Sequence, residues 1–123
     1  MTEEDEGSAA AWWEYVRLSS GSRQERLRAD DHRPVADQVA EVVAAGGPRA
    51  LALVLRLLDA RPQDGDLAVL AAGPLEDLVH AHGGSLAAEL TTTARRDPAF
   101  AEALRGVWFP VPVPPGLEPW LVG

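Results

Sequence analysis

Glu76 and His80 stand four residues apart in the stretch Leu67 to Gly84, LAVLAAGPLEDLVHAHGG, a spacing that sets a carboxylate and an imidazole on one face of a helix. Such a pair could move a proton or offer two ligands to a zinc ion. Two ligands are too few for a metal site, and His82 projects about 200° round the helix from His80, so it does not complete one. A plainer reading covers the same residues. Glu76 and Asp77 complement the positive first turn of a helix opened by Pro74, and His80 and His82 complement its negative last turn before Gly83-Gly84. The spacing therefore predicts a polar helix edge suited to a partner. A small-ligand or metal-dependent enzyme with a site near Glu76 and His80 is kept as an alternative.

Other polar groups give less. Asp30-Asp31-His32-Arg33 brings acid, base and cation together in sequence without a defined geometry, and reads as a solvated turn before Pro34. Ser19, Ser20, Ser22 and Ser85 lie in no Gly-x-Ser-x-Gly elbow. Gly46-Gly47-Pro48 and Gly83-Gly84-Ser85 precede helices, but neither has the strand and lysine of a phosphate-binding loop. Arg95 and Arg96 suit the carbonyls of a helix end. With no cysteine in the chain, thiolate chemistry and disulfides are excluded. No catalytic residue, metal ligand set or cofactor is expected.

The elements that would position these groups are helices. Ser8 is placed to cap a first helix in which Trp12, Tyr15 and Val16 share a face, with Trp13 to the side where Arg17 could stack on it. The charged stretch from Ser22 to Arg33 is an exposed short helix or ordered loop. Val35, Val39, Val42 and Val43 make the apolar stripe of a helix opened by Pro34 and stopped by Gly46-Gly47. Pro48 opens the most apolar segment, which belongs at the centre of the fold. Asp66 is placed to cap DLAVLAA, and Gly73-Pro74 breaks it from the next helix. Ser85 is placed to cap SLAAELTTTARR, where three threonines weaken the second half, and Asp97-Pro98 opens a last helix with Phe100 and Leu104 inward. Prolines 48, 74 and 98 recur about 25 residues apart, a weak hint of stacked helical hairpins.

The tail VWFPVPVPPGLEPWLVG holds five prolines and is predicted to be extended, with Trp108 and Phe109 folding back over the helices. Its distal end, Trp120 and Leu121 above all, is expected to pack on its own domain or to meet a partner. The organisation is thus an acidic disordered leader (1–7), a helical domain (8–106) and a proline-rich tail (107–123). The fold class is all-α, one compact domain of about six or seven short helices, as a hairpin stack or an orthogonal bundle.

Composition narrows the function. A chain of 123 residues with a formal net charge of −8 and eleven basic residues, all arginine and scattered, lacks the basic patch of a nucleic-acid binder. No run approaches the ~20 apolar residues of a membrane span, and MTEEDEGS is no secretory signal, so a soluble, cytoplasmic protein is expected. The absence of lysine, isoleucine and asparagine fits a GC-rich bacterial genome.

The chain also resembles a family of small bacterial proteins built on a domain of unknown function. The resemblance rests on Trp12 or Trp13 with Tyr15-Val16, on Ala72 to Leu78, on His82-Gly83, on Arg96 to Phe100 (offset by one position) and on Leu104 to Trp108. It spans most of residues 12 to 108 and leaves out the leader, the charged 22–33 stretch and the tail. It implies a shared helical fold and carries no activity. The leading expectation is a non-enzymatic acidic interaction module, an adaptor, regulator or immunity-type protein, binding a protein partner of basic character. Its partner-binding residues would be Glu76, Asp77, His80, His82, Trp120 and Leu121. A self-associating structural subunit is the second reading.

Overall fold

The computed structural model describes residues 3–108 and 113–121, with side chains from residue 7 onward. Helix α1 (Glu3–Ser19) begins well before Ser8, which therefore lies inside the helix instead of capping it. Ala9, Trp12, Trp13 and Leu18 of α1 are buried. Both tryptophans enter the core, meeting edge to face at 4.9 Å between ring centroids. The indole N–H of Trp13 donates to the Leu57 carbonyl at 2.7 Å, so the ring is held inward and does not stack on Arg17. Arg17 turns instead to Glu14 and Glu25.

Helix α2 (Arg23–Ala29) opens on a reciprocal cap in which the Ser22 hydroxyl accepts from the Glu25 N–H and the Glu25 carboxylate accepts from the Ser22 N–H. One 3-10 turn, Asp30–His32, leads into α3 (Arg33–Ala45), where Pro34 sits in the first turn and Val39 and Val43 are buried. Gly46, at φ +72°, turns the chain into α4 (Gly47–Asp59). Ala50, Leu51, Val54, Leu57 and Leu58 make the buried face of α4, each large side chain worth about 1.5–3 kcal/mol of burial. Ala52 on its other face is exposed, so α4 is amphipathic and not enclosed all round.

A 3-10 turn at Asp64–Asp66 precedes α5 (Leu67–Ala71). Asp66 makes no cap on α5; its carboxylate accepts from the Gln63 N–H within the turn. The Gly73-Pro74 break then opens α6 (Pro74–His82), followed by α7 (Ala87–Arg96) and α8 (Pro98–Arg105). Helix α7 starts two residues after Ser85, whose hydroxyl donates to the His82 carbonyl instead of capping. It also runs through all three threonines. Thr93 donates back to the Glu89 carbonyl, and Thr91 donates to Gly116 of the tail. Asp97 caps α8 as expected, accepting from the Ala99 and Phe100 N–H groups at 3.0 and 3.2 Å.

The fold is all-α, one domain around one core. Helix α1 packs on α3 and α4, α3 on α6 and α5 on α8, while α3–α4 and α7–α8 are sequential pairs. Leu117 and Leu121 of the tail are buried in the same core as Leu57, Leu78 and Phe100, so the described tail packs on its own domain. Trp108 does not fold back: it is 58% exposed. The matching expectation for Phe109 lies outside the described residues. Among the described residues, no helix is long and apolar enough to cross a membrane.

Candidate functional site

The polar edge of α6 exists because the core takes the other edge. Pro74, Leu75, Leu78 and Val79 are buried, and that spacing leaves Glu76, Asp77 and His80 on the outer side. Glu76 and His80 do meet, with 3.7 Å between a carboxylate oxygen and Nε2. The closer partner of His80 lies elsewhere in the chain. Its Nε2 is 2.7 Å from the Trp108 carbonyl oxygen. A carbonyl can only accept, so this nitrogen carries the proton, and the imidazole ties α6 to the segment leaving α8.

His82 is placed in the same way on a different segment. Its Nε2–H donates to the Ala44 carbonyl at 2.7 Å, tying the end of α6 to the end of α3. The ring lies over Gly46, where an added Cβ would come within 2.7 Å of it. Gly46 is therefore needed twice, for its positive φ and for the space that the imidazole fills. The two histidines thus diverge, as the helical angle between them requires. Among the described residues, no three histidine, aspartate or glutamate side chains come together as a metal site.

The remaining sequence-predicted residues separate further. Asp77 is exposed and borders a small depression of about 180 Å³ floored by Trp12, Val43 and Pro74. Trp120 and Leu121 are remote in role: Leu121 is a core residue, which takes it off any partner-binding face, and Trp120 is half-buried beneath the Arg105 guanidinium at 5.2 Å. Among the described residues, none hydrogen-bonds the buried Trp120 indole nitrogen. Asp30 and Arg33 form an exposed ion pair in the turn before α3. What residue patterning missed is Trp108. Its ring is exposed and its carbonyl is tied to a histidine 28 residues earlier, and no local signal marks either.

Chemically, the α6 edge presents an imidazole and a carboxylate at long hydrogen-bond range and a second carboxylate one position on, and the same imidazole holds the backbone of the exposed Trp108. Both imidazoles already donate through Nε2 to backbone carbonyls.

The model of DUF6869, a family of unknown function, matches residues 22–112. The match starts after the Trp12 to Val16 cluster and takes in the charged 22–33 stretch, which the resemblance had left out. No curated protein and no solved structure matches the chain.

Proposed function

Because the chain belongs to DUF6869, a family of unknown function, we propose from its geometry that it is a non-enzymatic protein-interaction module of the cytoplasm. The contact edge is made by Glu76, Asp77 and His80 on α6 together with Trp108. One observation carries the reading: Trp108 stands 58% exposed while its own carbonyl is fixed by His80. An exposed indole on a fixed backbone is available to a partner, and tryptophan is prominent among residues that dominate interfaces. The carboxylates of α6, on a chain of net charge −8, favour a basic partner. An enzyme at Glu76 and His80 fits less well, because His82 is turned away to Ala44 and the proton-bearing nitrogen of His80 is engaged by Trp108.

Affinity purification from the native host, comparing the tagged chain with Trp108→Ala, tests this. The expected result is a defined partner recovered with the wild type and reduced at least about tenfold with Trp108→Ala, at an unchanged melting temperature. Equal recovery by both would refute the contact edge. A partner identified as a second copy would turn the reading to self-association.

A further inference from the structure

A second surface, sharing no residue with the α6 edge, is shaped for a ligand of definable chemistry. Between α1 and the segment from Ala60 to Val69 runs an open groove of about 620 Å³. Its floor is apolar: Trp13, Val16, Pro62 and Val69, the last 39% exposed although it belongs to a helix whose neighbours Leu67 and Leu70 are buried. Its rim is acidic, with Glu14 on one wall and Asp66 on the other. Arg17 on the same rim is held between Glu14 and Glu25, at 3.0 Å from an oxygen of each. Among the described residues no cation pairs with Asp66. The Arg17 hydrogen bond holds the Glu14 carboxyl below the ordinary carboxylate range.

We infer that this groove docks an amphipathic helix of a protein partner, its apolar face on Val16, Pro62 and Val69 and its lysine or arginine flanks on Asp66 and on the net negative cluster of Glu14, Arg17 and Glu25. Three features select that occupant. The α1 wall contributes Ala10, Trp13, Glu14 and Arg17, a straight face of about two turns, roughly 10 Å, to lie along. Both walls are helix and turn, which offer no strand edge to an extended peptide, whereas a helix satisfies its own backbone. The acid excess calls for basic flanks. A second copy is disfavoured, since an isologous contact would set this rim against itself on chains of net charge −8. The inference rests on the interaction-module reading and adds to it the site and the chemistry of a partner.

The test uses the full chain, ¹⁵N-labelled, with two synthetic helical peptides of leucine at heptad spacing, one flanked by lysines and the other by glutamates. The lysine peptide is expected to move amide resonances of Ala10 to Ser20 and Asp66 to Val69, saturably and less in high salt. Val69→Arg should weaken it about tenfold or more, and the glutamate peptide should do nothing. Shifts scattered over the surface, equal shifts with the glutamate peptide, or full binding by Val69→Arg would overturn the groove. A dimer seen by light scattering and dissolved by Val69→Arg would also overturn it, in favour of a second copy. The Trp108→Ala purification remains separate: a native partner lost there but kept by Val69→Arg leaves the module reading standing and removes the groove.

Discussion

Trp13 shows how far a single residue can be read. Helical spacing assigns it to the flank of α1, because Trp12 already claims the inward direction. What overrules that assignment is the Leu57 carbonyl, 44 residues away, which accepts the indole N–H at 2.7 Å in a buried setting. Without that acceptor a buried indole nitrogen would be left unpaired. Trp13→Phe keeps an aromatic ring but removes the donor and part of the volume. It is expected to lower stability by roughly 2 kcal/mol, read from the midpoint of urea unfolding at unchanged slope. A loss under about 0.5 kcal/mol would mean that the bond contributes little. His82 has the same lesson. Its type and place near a helix C-terminus suggest dipole complementarity, but its role is set by Ala44 and Gly46, reached only after α3, α4 and α6 have packed.

Elements were legible where proline fixes them. Pro34, Pro48, Pro74 and Pro98 each lie in the first turn of a helix, since the ring pre-sets φ and the missing N–H has no partner there anyway. Asp97 was legible for the same reason, as an acceptor directly before one of them. Ser85 and Asp66 were not. Both are good capping residues by type, yet the core needs Leu86 buried and draws the start of α7 past Ser85, while Asp66 closes the 3-10 turn at Gln63. The contrast is measurable in thermal unfolding. Asp97→Ala is expected to cost about 1 kcal/mol, and Ser85→Ala within about 0.5 kcal/mol of nothing. Equal losses would mean that the two serve alike as caps.

For the molecule as a whole, the acidic surface and the single core reach function in different ways. The core takes Leu117 and Leu121, so the tail is part of the domain and Leu121 is no free contact. The polar cluster on α6 was visible in the sequence as a set of residue types. Its division was not, because it depends on which backbone carbonyl each imidazole meets: Trp108 for His80 and Ala44 for His82. The His82 tie joins α6 to the end of α3, and the His80 tie joins it to the segment after α8 by fixing the Trp108 carbonyl. On the proposed reading, these histidines brace the fold through their backbone ties and so help to present the proposed contact edge. Thermal unfolding of the His80→Ala, His82→Ala double variant tests it most directly. Two hydrogen bonds of about 1 kcal/mol each should lower the melting temperature of a chain this size by about 5 °C or more. An unchanged melting temperature would contradict the account.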